Sequence, residues 1–376
     1  MRITMNQLQR KIIEKIGNEG PITFEKFMEM ALYDPDLGYY ASGRAGIGRE
    51  GDFYTSAYLH PVFGAMIGRQ LEEMWQFMGR PDGFQVVEMG AGAGYLCKDI
   101  LDGLKDREFY GPLKYDIIEL NPSMKSRQAE MLGEHRGKVR WVRSLDQVSG
   151  MRGCLLSNEL LDAFPVHIVS MEEGLGELYV AAAETGLKEI RGPLSNESIV
   201  KYFSDFSIEL EKGCVTEVNL RIRDWLRKVG ASLDEGFVLT IDYGYTTREY
   251  YSEERNRGTL MCYSGHRTSE DPLLNIGEQD ITAHVNFSSL SKWGEEEGLR
   301  TIGFCGQGAY LVSLGIDEEI SRLAGHSKDY LFELARIKKL IMPQGMGESH
   351  MVMVQYKGGG IPELKGFKLR NRMRYL

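Results

Sequence analysis

The sequence lacks the features that mark membrane-spanning and nucleic-acid-binding proteins. Its longest stretches without a charged residue are 16 residues, and glycines interrupt both of them. A membrane-spanning helix needs about 20 mostly apolar residues. No run of basic residues occurs, and the formal net charge is −9. Because nucleic acids and anionic membranes are bound through clustered lysine and arginine, we expect neither as a partner.

Cysteine and histidine are sparse and dispersed. The five cysteines are never closer than 43 residues, and no CxxC or HxxxH spacing occurs among the five cysteines and seven histidines. We therefore predict no metal site. Scattered thiols in odd number are typical of a reducing compartment. Residues 1–17 predict a mixed-charge amphipathic helix rather than a secretory signal or an arginine-rich transit peptide. These observations together predict a cytoplasmic protein.

The composition is that of a globular protein, with 42% hydrophobic and 26% charged residues. A length of 376 residues suggests two or three structural units. Residues 1–80 are predicted to form a helical cap, in which Thr23 starts a helix and residues 38–56 form a long glycine-rich loop. Residues 81–376 are predicted to form the main domain, and residues 351–356 an edge or hairpin strand.

Within this main domain, short apolar segments alternate with helical ones from residue 84 onward. This order is typical of an α/β fold with a doubly wound parallel sheet. Strands are expected at 84–89, 114–120, 139–142, 153–157 and 236–242, and a helix at 217–228. Two insertions interrupt the pattern, at about 166–215 and 243–280.

A glycine-rich turn follows the first of these strands. Gly90, Gly92 and Gly94 allow the backbone to turn sharply and to approach a ligand closely. The dinucleotide-binding pattern G-x-G-x-x-G fails, because Tyr95 or Cys97 stands at its third position, and no Gly-Lys-Ser/Thr follows for a phosphate-binding loop. The acid-x-Gly-x-Gly-x-Gly pattern instead resembles the first motif of class I S-adenosylmethionine-dependent methyltransferases.

Several acidic and polar residues suit that cofactor. It carries a sulfonium and an ammonium instead of a pyrophosphate, so a carboxylate such as Glu88 beside the turn is favourable. Glu119 closes the next strand, where a carboxylate can accept both ribose hydroxyls. Ser144 and Leu145 follow the third strand on the adenine side. We predict that S-adenosyl-L-methionine binds these residues and Gly90, Gly92 and Gly94; a glycine turn without a cofactor is the alternative.

Further motifs extend the resemblance over most of the chain, from about residue 20 to 355. The pattern resembles the MidA-type family of class I methyltransferases, whose mitochondrial member is an arginine methyltransferase that assists assembly of respiratory complex I. Departures from the family pattern are Tyr54, Ala57 and Tyr58. The matching segments are 47–56 (IGREGDFYTS), 158–166 (NELLDAFPV), 242–244 (DYG), 258–260 (GTL), 280–287 (DITAHVNF), Gln307 and 342–348 (MPQGMGE).

This resemblance implies a Rossmann-like class I methyltransferase sheet with an N-terminal cap and insertions. It also implies that the cap loop closes over the cofactor, with Asp52, Phe53 and Thr55 in contact with it; a purely structural Ω-loop is the alternative. The expected partner is a protein that presents an arginine, such as a subunit of a respiratory complex. The oligomeric state is left open.

The catalytic candidates follow the fourth strand, at the edge that faces the transferred methyl group in this fold. Glu159 is the first choice for holding a guanidinium through paired hydrogen bonds, and Asp162 is the second. Asn158 and Asp162 could instead cap a helix that follows the strand. His284 is either a general base or a structural residue.

The favoured function is therefore a protein arginine N-methyltransferase. Because a fold does not fix the substrate, a small-molecule methyltransferase remains an alternative. A third possibility is a non-catalytic assembly factor that retains the fold. A wide groove beside Glu159 favours a polypeptide acceptor, whereas a closed pocket favours a metabolite.

Overall fold

The structure is a computed structural model that describes residues 5–41, 55–265 and 267–376. These residues form two compact units. The first contains residues 5–41, Leu161–Asp224 and, apart from residue 266, Tyr245–Ser289. The second contains residues 55–160, Trp225–Gly244 and Leu290–Leu376. Residue 80, the boundary expected from the sequence, lies inside the second unit.

The described helices are α1 Gln7–Glu19, α2 Phe24–Tyr33, α3 Ser56–Leu59, α4 Val62–Phe77, α5 Tyr95–Leu104, α6 Pro122–Met131, α7 Glu197–Asp205, α8 Arg221–Ser232, α9 Thr247–Tyr250, α10 Phe287–Glu296, α11 Gln307–Ser313, α12 Ile316–His326 and α13 Tyr330–Ile341.

The described strands are β1 Ile22–Thr23, β2 Gln85–Met89, β3 Lys114–Ile118, β4 Val139–Val142, β5 Met151–Asn158, β6 His167–Met171, β7 Leu175–Ala183, β8 Gly186–Gly192, β9 Val215–Val218, β10 Leu233–Tyr245, β11 Met261–Ser264, β12 Arg267–Ser269, β13 Asp280–Thr282, β14 Val285–Asn286, β15 Arg300–Gly306 and β16 His350–Lys357.

The second unit is built on a sheet with the strand order β15-β16-β10-β5-β2-β3-β4. The five strands from β10 to β4 are parallel, which confirms the predicted α/β fold. The prediction of an edge or hairpin strand at residues 351–356 was wrong, because β16 pairs antiparallel with β10 on one side and β15 on the other. Its almost continuous burial fits an interior strand.

Helix α4 packs closely on α5 in the same unit. Its buried residues Phe63, Met66, Ile67 and Leu71 recur at the spacing of one helix face, which explains why this helix was predictable. A Cβ atom on Gly64 would lie 2.4 Å from the Cβ of Asp99, so only glycine permits this approach. The resulting core continues onto the inner face of the sheet.

The first unit contains the antiparallel sheet β1-β7-β6-β9, with β8 paired to β7. Thr23 caps α2 by accepting the Lys26 N–H, as predicted. The helix predicted at residues 217–228 begins only at Arg221, because Val215–Val218 forms a strand against β6. Three of its four residues, Val215, Thr216 and Val218, are β-branched, which favours that extended conformation.

A buried carboxylate organises one loop of this first unit. Glu217 accepts the backbone N–H groups of Thr259 and Leu260 and the hydroxyl of Tyr250, at 2.9, 3.0 and 3.0 Å. Burial raises the pKa of Glu217, while these hydrogen bonds lower it. Gly258 has φ +82°, and a Cβ atom there would lie 2.2 Å from Oε1 of Glu217. The Gly-Thr-Leu motif at residues 258–260 is therefore a structural one.

Gly258→Ala should lower the free energy of unfolding by about 2–4 kcal/mol, since it adds steric overlap to an unfavourable backbone conformation. Urea unfolding monitored by circular dichroism measures this change. Gly213→Ala is the matched control, because Gly213 has φ +90° but no atom within 4 Å of the added Cβ. Equal losses in the two variants would contradict the steric role of Glu217.

Candidate active site

The parallel register brings the carboxyl ends of several strands to one edge of the sheet. Met89 of β2 is level with Ile118 of β3 and with Ser157 of β5. Asn158 of β5 is in turn level with Ile241 of β10. Ligands of open α/β sheets bind beyond this edge. The glycine turn, Glu119, Ser144 and Glu159 all follow strands that end there.

The glycine turn has the backbone conformation that its composition predicts. Gly90, Gly92 and Gly94 have φ angles of +74°, +52° and +90°, a region that other residues rarely adopt. A Cβ atom on Gly90 would lie 3.0 Å from Cδ1 of Leu160, so the turn also packs tightly against the segment that follows β5. The chain then enters α5 at Tyr95.

Glu88 lies beneath the turn rather than on its surface. Its residue exposure is 2%, and Oε2 accepts the hydroxyl of Tyr115 at 2.8 Å. Burial raises the pKa of Glu88 to about 7, although the Tyr115 hydrogen bond opposes this. At neutral pH the group is therefore only partly ionised. The electrostatic argument for Glu88 as a partner of the sulfonium weakens accordingly, and its direct contact with the cofactor stays a prediction.

Glu119 is partly buried at the end of β3. Its Oε1 accepts the N–H of Asn121 at 2.8 Å, and its Oε2 accepts Nε2 of Gln128 at 3.0 Å. Burial raises the pKa of Glu119, whereas these hydrogen bonds lower it. The carboxylate is thus held in one orientation at the predicted ribose position.

Gln128 is a residue of this site that sequence reasoning missed. Its side chain is fully buried on α6. Nε2 donates to the carbonyl of Gly92 at 2.7 Å as well as to Glu119, and Oε1 accepts Nε1 of Trp141 at 2.8 Å. One amide thus joins the glycine turn, the carboxylate after β3 and a side chain of β4. Gln128 is the one residue of the surrounding helix α6 that is fully buried, and the mostly polar sequence of that helix shows no apolar face that would distinguish it.

The two residues predicted at the adenine side lie after β4. Ser144 precedes the short helical turn Leu145–Val148, and its hydroxyl donates to Asp146 at 3.3 Å. Leu145 is buried. Their contact with an adenine ring stays a prediction.

Glu159 has an uncommon backbone conformation directly after β5. Its φ is +52°, and its N–H donates to the carbonyl of Ile241 at 2.8 Å. The next N–H, that of Leu160, donates to Oδ2 of the buried Asp242 at 3.2 Å. Such a conformation costs about 1–3 kcal/mol in a residue other than glycine, and it is frequent at functional sites.

The Glu159 side chain is 6% exposed and only partly hydrogen-bonded. Oε1 accepts the backbone N–H of Ser56 at 3.0 Å and Nδ2 of Asn158 at 3.2 Å. Oε2 makes no hydrogen bond to any residue in the described ranges. Nε2 of His350, which sequence reasoning did not select, lies 3.7 Å from Oε1. Gln307 borders this group, since its Oε1 accepts the Ser56 hydroxyl at 3.0 Å.

The alternative in which Asn158 and Asp162 cap a helix is not met, because no helix follows β5 at residues 159–166. Residues 159–166, all of them described, form bends and turns between β5 and β6. The physical reason is that the Glu159 and Leu160 N–H groups bond to the end of β10 instead of starting a helix.

The remaining predicted site residues are distributed differently. Asp162 is buried and His284 is half-buried, and both belong to the first unit. The His284 ring packs edge-on against Tyr245, with ring centres 5.1 Å apart. Their catalytic roles stay predictions. Thr55 precedes α3 without capping it. Asp52 and Phe53 lie outside the described residues.

The described part of the chain contains neither a metal-binding cluster nor a membrane-spanning helix. Across residues 5–41, 55–265 and 267–376, no group of three or more His, Cys, Asp and Glu side chains could hold a metal ion. Over the same ranges, no helix has the length and hydropathy needed to cross a membrane.

Residues 66–305 match the family of S-adenosyl-L-methionine-dependent methyltransferases. The chain belongs to this family. A crystal structure of a related protein from Burkholderia thailandensis, bound to S-adenosyl-homocysteine, is 30% identical with a TM-score of 0.89 and covers 98% of this chain and 96% of that one.

Curated relatives of this methyltransferase chain are about a quarter identical to it. The protein named protein arginine methyltransferase NDUFAF7 homolog, mitochondrial, from Drosophila melanogaster is 26% identical over 93% of this chain and 85% of its own. The protein named protein arginine methyltransferase NDUFAF7, mitochondrial, from Mus musculus is 26% identical over 90% of this chain and 82% of its own.

These comparisons confirm four predictions: the MidA-type resemblance, the class I fold, the methyltransferase activity and the cofactor S-adenosyl-L-methionine. The predicted cytoplasmic location was wrong, because the curated relatives are named as mitochondrial proteins. Scattered free thiols indicate a reducing compartment without specifying which one.

Gln128→Leu should weaken binding of S-adenosylmethionine about tenfold, because Glu119 and the Gly92 carbonyl lose a shared buried donor. Isothermal titration calorimetry measures the affinity. The double variant with Glu119→Ala should bind hardly more weakly than Glu119→Ala alone, since Gln128 acts through Glu119 and the turn. Additive losses in this cycle would contradict that coupling.

Proposed function

We propose that this methyltransferase transfers the methyl group of S-adenosylmethionine to an arginine side chain of a protein. The observation that carries the proposal is the carboxylate of Glu159. It is buried at the cofactor edge of the sheet, in a left-handed backbone conformation, and its Oε2 makes no hydrogen bond within the described ranges. A site of this kind suits a cationic acceptor whose N–H groups can donate hydrogen bonds to the free carboxylate oxygen.

The chemistry of arginine explains why a carboxylate is needed. Methyl transfer requires the acceptor nitrogen to lie in line with the carbon on sulfur, so the protein must mainly align the nucleophile and exclude water. A guanidinium has a pKa above about 12 and is a poor nucleophile while its charge is delocalised. Paired hydrogen bonds to a carboxylate fix its plane and concentrate the charge on one side. Glu159 supplies that carboxylate, while Asn158 and the Ser56 N–H orient it.

The residues of the cofactor side fit S-adenosylmethionine, which supplies the activated methyl group when bound. The glycine turn lets the backbone approach the cofactor, and Glu119 offers an oriented carboxylate to the ribose. Gln128 holds these two parts together from inside the sheet edge. Glu88 precedes this turn as a buried carboxyl group that accepts the Tyr115 hydroxyl.

The names of the relatives support a protein as the acceptor. The Drosophila and mouse relatives are both named protein arginine methyltransferases. Together with the MidA-type resemblance, this makes an arginine in a respiratory complex subunit the candidate acceptor.

Incubation of a cell extract with this protein and methyl-labelled S-adenosylmethionine tests the proposed function. Mass spectrometry of the labelled products should find methylarginine in a protein. Label on a lysine, or on a small molecule alone, would contradict the proposal.

Glu159→Gln should lower the single-turnover rate about 10²–10³-fold, as the loss of a charge-assisted contact at a reacting centre usually does. The amide keeps the size and can still accept the Ser56 N–H, so affinity for S-adenosylmethionine should change less than twofold. Rapid-quench assays on the labelled acceptor measure the rate, and calorimetry measures the affinity.

Glu295→Gln provides the control for this variant. The substitution removes the same charge, but from a residue that is exposed on α10. Its rate should equal that of the parent. A Glu159→Gln variant with the parent rate would eliminate the guanidinium clamp.

A further inference from the structure

We infer that His350 accepts the proton that the acceptor nitrogen releases during methyl transfer. The inference rests on the proposed function for the identity of the acceptor. It concerns a residue that neither the sequence pattern nor the resemblance singled out.

His350 lies at the start of an interior strand of the sheet. It is the first residue of β16, and it is level with Tyr243 of β10. The two rings meet edge to face with centres 5.4 Å apart, and His350 is only 7% exposed. This ring is thus fixed on a rigid element beside the end of β10, where the carbonyl of Ile241 accepts the N–H of Glu159.

The two ring nitrogens have different surroundings. Nδ1 lies 3.0 Å from the hydroxyl oxygen of Ser349. Nε2 is buried and makes no hydrogen bond to a residue in the described ranges, while Oε1 of Glu159 lies 3.7 Å away. Buried polar atoms are nearly always hydrogen-bonded, so an unpaired one at a sheet edge that binds ligands indicates a group that arrives with the substrate.

A second unpaired atom lies in the same group of residues. Oδ1 of Asn158 is buried without a hydrogen-bond partner in the described chain, although Nδ2 of the same amide donates to Glu159. Nε2 of His350, Oδ1 of Asn158 and Oε2 of Glu159 can all accept hydrogen bonds. A guanidinium carries five N–H donors and no acceptor, so this set matches its chemistry.

The proton balance of the reaction requires such an acceptor. A bond forms between the guanidinium nitrogen and the methyl carbon, and the carbon–sulfur bond breaks with its electron pair moving to sulfur. The sulfonium becomes a neutral thioether, and the methylated guanidinium keeps its single positive charge. One N–H proton must therefore leave, and Nε2 of His350 takes it before releasing it to water. This role needs the tautomer with hydrogen on Nδ1, where the Ser349 hydroxyl oxygen can accept it.

His350→Ala tests this role in single-turnover assays of the full-length protein on the labelled acceptor. The rate should fall about 10²-fold or more, which is the usual contribution of a general base. Affinity for S-adenosylmethionine should change less than twofold. Added imidazole, 4-methylimidazole and 1,2,4-triazole should restore activity in the order of their basicity, because each can take the proton in the space that the ring vacates.

Two further variants separate this role from a structural one. His350→Gln keeps a hydrogen-bonding side chain but cannot accept a proton near neutral pH, so it should remain as slow as His350→Ala. His135→Gln alters another buried histidine of the same unit, one that contacts Asp102 and Tyr110, and should keep the parent rate. Full activity of His350→Gln, or rescue that ignores azole basicity, would overturn the inference.

The same experiments distinguish failure of this inference from failure of the proposed function. The labelled amino acid decides whether arginine is the acceptor. If the label is on lysine, the arginine proposal fails, while the azole series on that lysine still decides whether His350 takes the proton.

Discussion

The hydrogen bond from the Glu159 N–H to the Ile241 carbonyl is the contact on which the proposed chemistry depends. It extends the pairing of β5 and β10 by one residue beyond the end of β5. The backbone must then adopt φ +52°, and the carboxylate remains buried beside Asn158 and His350. Asp242 secures the next residue by accepting the Leu160 N–H. The carboxylate of the proposed guanidinium clamp is thus positioned by backbone hydrogen bonds.

Buried carboxyl groups serve different purposes in the two units. Glu217 binds the backbone of a loop, Glu119 is held in one orientation at the sheet edge by Gln128, and Glu88 accepts a hydrogen bond from Tyr115 of the neighbouring strand. Burial raises the pKa of all three. For Glu88 the pKa rises from 4.5 to about 7. At a pH between these two pKa values, Glu88 keeps its proton in the folded chain and loses it in the unfolded chain. This group therefore lowers the free energy of unfolding as the pH rises through that range.

Much of the second unit could be predicted from local patterns. The glycines after β2, the acid after β3 and the short apolar strands each have a recognisable composition, because the constraint acts within a few residues. His350 and Gln128, in contrast, could not be predicted from local patterns. His350 follows a glycine-rich segment and begins a strand whose sequence predicts an edge or hairpin strand. Gln128 lies in a helix whose sequence is mostly polar and shows no apolar face. Their importance arises from contacts with residues 191 and 36 positions away.

The sequence by itself determined the family and the cofactor, and it predicted the carboxyl edge of the sheet as the place for the chemistry. Those properties depend on glycine geometry and on alternating strands and helices, which are encoded locally. Only the tertiary structure decided that β16 lies inside the sheet, that no helix follows Asn158, and that a histidine stands 3.7 Å from Glu159. The position of β16 depends on its antiparallel pairing with two other strands, β10 and β15. That choice is made by the packing of distant segments, so no local pattern records it.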